Sequence, residues 1–381
     1  MAIILKGYKK DWALLRIWTD VAVHFLKRYR NPLLLGKIRR SILEFRDSTT
    51  PSKKITKIVK IDGKYFLNSN MNGWPDPTFF RPLEIEVSKG FKEPLNNLER
   101  LKIVQVALTK KCPLNCEHCY EGHELNKKDT LTLDDHKKIV KKLQDAGVAL
   151  IQYAGGEPMT KVDQLVEIFH SADQRSKFHV FTSGFNCTYE NLLRLKEAGL
   201  SGISISIDHY LEDKHKAFRR NEKSYNWALE AARNAINLKL VVTFTVCVTK
   251  EFCTEEHLWN YLNFAKTQGA SFVQIAEPRA VGNYENQNVS LTSEQIKVLD
   301  EFFIEANTKK DHASLPIVLN AGYHQRKRGC FGAAEHYLYI DTDGYVNSCP
   351  FCRNKKNHIL SDSNESDLLE MRIEGCGIKQ N

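Results

Sequence analysis

The stretch Lys111-Cys112-Pro113-Leu114-Asn115-Cys116-Glu117-His118-Cys119-Tyr120 sets three thiols on one short loop. Three thiolates can hold three corners of a four-iron cluster and leave the fourth iron without a protein ligand, since full ligation takes four cysteines. An open position lets a metal centre bind a substrate, whereas closed coordination marks a structural site. The competing reading is a zinc knot completed by His118 or a remote residue, although zinc loops usually pair two such couples. His118 stands between Glu117 and Cys119 and is poorly placed to share their metal.

A second stretch, Ile151-Gln152-Tyr153-Ala154-Gly155-Gly156-Glu157-Pro158, follows a short way downstream. Its apolar run ends in a glycine pair, which lets a ligand approach the backbone closely. Glu157 offers a carboxylate suited to an ammonium group. Alone this is a strand-ending turn. Read with C-x3-C-x2-C upstream, it closely resembles the radical S-adenosylmethionine (SAM) superfamily, over residues 102–307. The resemblance implies that Cys112, Cys116 and Cys119 hold a [4Fe-4S] cluster whose open iron takes the amino and carboxylate groups of SAM. It places His118 near the adenine, and Gly155, Gly156 and Glu157 at the methionine amino group. Phe181-Thr182-Ser183-Gly184 looks like the family's polar turn after the next strand, and Ser204-Ile205-Ser206-Ile207-Asp208 like its Ser-x-Asp strand end. Arg219 stands where relatives carry an arginine that helps hold SAM, although Arg220 replaces the glycine that often follows it. Ser183, Ser206, Asp208 and Arg219 therefore join the expected SAM contacts.

The pattern of the chain supports this fold without the motifs. From Lys102 onward, apolar runs at 103–108, 148–154, 179–182, 202–207, 241–248 and 272–276 alternate with amphipathic stretches near 132–146, 162–173, 188–198, 222–238 and 254–268. Thr188 and Thr254, each followed by acids, read as helix N-caps. Strands separated by helices predict βαβ units and an α/β fold with a parallel sheet covered on both faces. This fits the partial (β/α)6 TIM-like barrel that the resemblance implies, with function at the C-terminal strand ends.

Cys330, Cys349, Cys352 and Cys376 form a separate set in the tail. Tyr337 to Val346 reads as a hairpin with an Asp-Gly turn at Asp343-Gly344, bringing Cys330 toward Cys349 and Cys352. The spacing resembles the SPASM and twitch extensions, which bind auxiliary iron–sulfur clusters. A full SPASM domain needs more thiolates than these, so the resemblance implies a truncated form with one auxiliary [4Fe-4S] cluster. A four-cysteine zinc ribbon fits the spacing too. Cys247 reads as a small core residue, and Cys187 and Cys253 carry no pattern.

The expected organisation is a basic extension at 1–100 (amphipathic helices, then a hairpin), a core barrel at 101–310 and a small Cys-rich hairpin domain at 311–381. The net charge of +9 is concentrated at one end, because residues 1–46 hold eleven Lys or Arg against three Asp or Glu. The rest is nearly neutral, which argues against a nucleic-acid partner. Leu14, Ile17, Trp18, Val21 and Phe25 form an apolar helical face that suits packing on the chain itself; the alternative is peripheral contact with a membrane. Ten cysteines and a short apolar start without export character favour a reducing compartment, hence a cytoplasmic protein.

The resemblance implies an enzyme. Its reduced cluster would pass one electron to the sulfonium of SAM, giving methionine and a 5′-deoxyadenosyl radical that takes hydrogen from a substrate. An electron donor such as flavodoxin or ferredoxin would supply the cluster. A ribosomal peptide, oxidised or crosslinked, is the first expectation for the substrate, and a small molecule or lipid the second. Two further readings stay open: a non-enzymatic iron–sulfur scaffold, disfavoured because it would not need Gly155-Gly156-Glu157 or an open iron, and a zinc-binding interaction protein.

Overall fold

The computed structural model describes residues 2–50, 55–330, 332–353, 355, 357–361 and 364–374. An N-terminal extension comprises β1 (Ile3–Lys6), α1 (Gly7–Tyr29), α2 (Leu35–Thr49), β2 (Lys57–Ile61), β3 (Lys64–Phe66) and α3 (Arg81–Phe91). There follow β4 (Ile103–Ala107), α4 (Leu133–Asp145), β5 (Leu150–Ala154), α5 (Val162–His170), β6 (Lys177–Thr182), α6 (Tyr189–Ala198) and β7 (Leu200–Ser206). Next come α7 (Glu212–Arg219), α8 (Ser224–Asn237), β8 (Val241–Cys247), α9 (Glu255–Thr267), β9 (Phe272–Ala276), α10 (Ser293–Thr308), β10 (Ile317–Asn320) and α11 (Ala321–Arg328). The tail adds β11 (Tyr337–Ile340), β12 (Val346–Asn347) and α12 (Asn364–Glu374).

Each of the six apolar runs forms a strand. The sheet order is β10-β9-β8-β7-β6-β5-β4-β11-β12, parallel throughout except for the last pair. Among the described residues no pairing joins β10 to β12, so the curved sheet is an open, TIM-like barrel. Alternation along each strand divides its side chains between two faces. Val104, Val106, Ile151, Tyr153, Ile203 and Ile205 pack outward into the core under the helices. Gln105, Gln152, Ser206, Thr245 and Gln274 line a chamber inside. Thr132, Thr188, Thr254 and Thr292 cap their helices by accepting a backbone N–H.

The sheet continues past residue 310. β10 is only four residues long, and α11 reads as a polar stretch, so neither carries a strong periodic signal. α7 is also mostly charged, with His215 and Arg219 buried.

The extension seals the barrel floor. Val59, Ile61 and Phe66 from the β2–β3 hairpin pack against Val241, Phe272 and Ile317 at the lower ends of three barrel strands. Lys57 anchors the hairpin by donating to the carbonyls of Ala306 at 2.8 Å and of Leu315 and Pro316 at 2.9 Å. Burial pulls its pKa down to about 7. On α1, Ala13, Ile17, Val21 and Phe25 are buried against α2, α3 and the hairpin. The apolar face is therefore occupied by the chain itself, and membrane contact through it finds no support. No described helix is long and apolar enough to cross a membrane.

Candidate active site

The loop after β4 carries Cys112, Cys116 and Cys119 at the C-terminal end of the barrel, and its own backbone ties set its shape. Asn126 binds the Cys112 backbone twice, accepting its N–H at 3.1 Å and donating to its carbonyl at 3.2 Å. The Glu117 N–H donates to the carbonyl of Phe218 at 3.0 Å. A turn after β9 clamps the other side: Asn283 donates from its backbone to the Cys119 carbonyl at 3.0 Å and from its side chain to the Cys116 carbonyl at 2.8 Å. Gly282 lies so close to the Cys119 carbonyl that a side chain would collide with it. No sequence signal pointed to this clamp.

Cys116 is 6% exposed, and Cys112 and Cys119 are half-buried. Burial pushes the Cys112 and Cys119 thiols up to about 12, so a metal that binds them must displace their protons. Thiolates around one zinc sit ~2.3 Å from it. Among the described residues no three Cys, His, Asp or Glu are gathered tightly enough to hold a single ion. The three thiols border one chamber.

The Gly155-Gly156-Glu157 turn backs this loop. A Cβ at Gly155 would lie 2.7 Å from the Thr109 carbonyl, and one at Gly156 would strike the Lys111 carbonyl. The close neighbour that demands glycine is thus the base of the Cys loop, bound by Gly156 N–H to Thr109 and Glu157 N–H to Lys111, each at 2.7 Å. Glu157 itself is 1% exposed. One of its oxygens accepts from Met159 N–H at 3.0 Å and the Thr182 hydroxyl at 2.8 Å; the other accepts from the Ser183 N–H at 2.7 Å and hydroxyl at 2.6 Å. Two bonds to each oxygen fill the capacity of a carboxylate. Burial raises its pKa against the pull of these donors.

Asp208 and Arg219 form a buried pair at 2.5 Å, and Arg219 Nη1 also donates to Cys116 Sγ at 3.4 Å. Burial would raise the Asp208 carboxyl, but the Arg219 guanidinium holds it below the usual range. His118 stacks on Phe218 with ring centres 4.7 Å apart, and burial lowers its pKa to about 4. Its Nδ1 is buried without a partner among the described residues. Ser206 lines the chamber wall. Cys247 also reaches the chamber, and its backbone N–H donates to Asp208 at 3.0 Å.

The tail set meets the same space. The chamber, about 520 Å³, is bordered by Cys112, Cys116 and Cys119 and also by Cys330 and Cys349. The Ala333 N–H donates to the Ser348 carbonyl at 3.2 Å, bringing the Cys330 segment beside Cys349. Cys352 N–H points at Cys349 Sγ, 3.2 Å away. Cys376 lies outside the described residues. Two ion pairs tie the tail to the first loop: Lys110 with Asp343 at 2.7 Å and Arg353 with Glu121 at 2.5 Å. Arg353 lies over the rings of Tyr120 and Tyr339, and the Tyr339 hydroxyl donates to Glu121.

Residues 106–265 match the Radical SAM superfamily. The chain therefore carries a radical SAM domain, the cofactors of which are a [4Fe-4S] cluster and SAM. It is 26% identical over 255 residues to the PqqA peptide cyclase of Bradyrhizobium diazoefficiens, covering 65% of this chain and 66% of that protein. It is 24% identical over 294 residues to molybdenum cofactor biosynthesis protein 1 of Mus musculus, 72% of this chain and 45% of that one. The chain thus spans between about half and two thirds of the length of these relatives. The structure of Streptococcus suis SuiB bound to precursor peptide SuiA superposes with a TM-score of 0.60 at 12% identity, covering 92% of this chain and 78% of the other. At that identity the likeness is one of fold.

Proposed function

We propose that this enzyme removes hydrogen from a peptide substrate held in the chamber between its two cysteine sets, oxidising or crosslinking it. The observation that carries the reading is the shared chamber: Cys112, Cys116 and Cys119 border one part of it, Cys330 and Cys349 another. Cys112, Cys116 and Cys119 would hold a cluster with an open iron, which when bound and reduced would supply the one electron needed to split SAM into methionine and a radical able to take a substrate hydrogen.

The chain's own residues supply binding, orientation and exclusion of water. Cys112, Cys116 and Cys119 would hold the first cluster. Cys330, Cys349 and Cys352, with Cys376 as the expected fourth ligand, would hold an auxiliary [4Fe-4S] cluster of SPASM or twitch type, suited to accept the electron left on the oxidised substrate. Gly155, Gly156, Ser183, Ser206 and His118 would contact SAM. Glu157 would act by fixing the turn, its oxygens being engaged by four donors. Arg219 would orient SAM while its N–H supports Cys116 Sγ, a bond of the kind that tunes cluster potential. An electron donor such as flavodoxin or ferredoxin would complete the cycle.

The similarity to a PqqA peptide cyclase supports a peptide. The second reading is a small molecule, supported by the relative named for molybdenum cofactor biosynthesis and by a chamber in the range of small-ligand pockets, roughly 300–1,000 Å³. The test is anaerobic incubation of the reconstituted enzyme with SAM, dithionite and the short peptides encoded beside its gene. Loss of hydrogens from one peptide, matched by 5′-deoxyadenosine, supports the proposal. Release of 5′-deoxyadenosine that no such peptide stimulates or matches would favour the small molecule.

A further inference from the structure

The Lys, Arg and Glu side chains that line the chamber are Lys102, Glu157, Arg219, Glu277 and Arg279. The first four are engaged at short range. Lys102 lies 2.6 Å from Glu86, Arg219 lies 2.5 Å from Asp208, and four donors hold Glu157. Glu277 accepts from Arg326 Nη1 at 2.6 Å. Arg279 differs: among the described residues its guanidinium makes no hydrogen bond, and its ion contact is with Glu277 Oε2 at 4.0 Å. The side chain is only 22% exposed. Charges taken this far out of water are ordinarily paired, and a guanidinium carries five donors to satisfy.

Glu277 is held by another partner. Arg326, on α11, binds its carboxylate and also pairs with Asp300 on α10. Gly322 makes room for this arrangement, since a Cβ there would strike Glu277 Oε1. Arg279 itself stands on backbone that the Cys loop fixes. Its carbonyl accepts the Val281 N–H at 2.8 Å, and Gly282 and Asn283 then form the clamp on Cys116 and Cys119. The Tyr284 hydroxyl adds a bond to Glu117 at 2.7 Å. The competing reading makes Arg279 a counter-ion only, because Glu277 and Asp300 share the single charge of Arg326. A contact at 4.0 Å supplies some of that balance but is too long to satisfy any of the donors.

We infer that Arg279 is the anchor for an oxyanion on the substrate. Its planar fork of N–H groups matches a carboxylate or a phosphate ester, either of which can take two parallel bonds. The inference deepens the proposed function and rests on its reading of the chamber as substrate space. In a peptide the matching group is an Asp or Glu side chain or the terminal carboxylate. In a small molecule it is a phosphate ester.

The test uses reconstituted enzyme with SAM and no reductant, so that nothing turns over, and compares variants at equal iron per chain. Saturation-transfer NMR follows three probes: the α-N-methylamide of N-acetylglutamate, the neutral α-N-methylamide of N-acetylglutamine, and glycerol 1-phosphate. In wild type one anionic probe should bind at least about tenfold more tightly than the neutral one, the scale of a charge-assisted hydrogen bond. Arg279→Gln removes the charge, so that advantage should vanish. Arg279→Lys keeps the charge without the fork and should recover part of it. SAM affinity by calorimetry should stay within about twofold in both variants.

Preference for the glutamate probe supports the anchor together with the peptide reading. Preference for the phosphate supports the anchor and turns the substrate toward the small molecule. Three results would overturn the anchor. The first is that no anionic probe is preferred by wild type. The second is that the preference survives in Arg279→Gln while only stability falls, which leaves Arg279 a counter-ion. The third is that SAM affinity falls with that of the probe, which assigns Arg279 to SAM.

Discussion

The two cysteine sets face one chamber but are built in opposite ways. Cys112, Cys116 and Cys119 lie on one continuous loop, held from below by Gly155 and Gly156 and from the side by Asn283. Cys330 comes from one segment and Cys349 and Cys352 from another, drawn together by the β11–β12 hairpin and the bond from Ala333 to Ser348. The first site is local in sequence and needs the barrel only to aim it. The second exists only once β11 has paired with β4, and its loop is tied back to the first through Glu121–Arg353. A site made from a contiguous loop can survive damage to its neighbour, whereas a site assembled from distant segments depends on the scaffold beneath it.

The largest expected effect breaks the first site. Cys116→Ala should remove the iron of one cluster and abolish 5′-deoxyadenosine formation under dithionite, because two thiolates cannot secure a cluster that needs three. Full cleavage of SAM by this variant would remove the first site from the account.

A smaller effect is expected at the link between the sites. Arg353→Leu leaves the buried Glu121 carboxylate with one donor fewer, and since Arg353 itself is partly exposed the loss should be about 1–2 kcal/mol, in the range for an under-satisfied buried group. Urea unfolding of the loaded protein should show that loss while the first site keeps its iron. Unchanged stability would mean that the two loops are merely adjacent.

Acid sharpens the barrel side of the comparison. Burial lowers His136 and His179 to about 4, against about 6.5 in the unfolded chain. Both are neutral in the fold and take up protons on unfolding, so their contribution is present above pH 6.5 and fades as pH falls toward 4. In His179→Gln, the slope of unfolding free energy against pH between 6.5 and 5 should be shallower by about 1 kcal/mol per pH unit, somewhat less than the weight of one full proton. An unaltered slope would show that His179 does not stay neutral.

The same division explains what the sequence made legible. The first Cys loop and the glycine turn could be read because their residues are consecutive, and the six strand runs because their period is regular. The role of Glu157 could not, since its donors come from Met159, Thr182 and Ser183. Arg219 was marked by position, but its bonds to Asp208 and Cys116 join the loops after β7 and β4, which two strands separate in the sheet. The clamp at Gly282-Asn283 involves ordinary residues whose meaning comes from the Cys loop they bind. Strand β10 and helix α11 were hidden by brevity and polarity.

The central claim is that two separable cysteine sites serve one chamber, and the double variant Cys349→Ala/Cys352→Ala tests it most directly. Iron per chain and 5′-deoxyadenosine release are measured together after anaerobic reconstitution. Wild type should hold about eight irons, as two four-iron clusters require. The variant should hold about four, still cleave SAM, and form no product on its substrate. Wild type with four irons and one zinc would contradict the auxiliary cluster and leave the radical SAM domain standing. Loss of all iron in the variant would contradict the separation of the two sites.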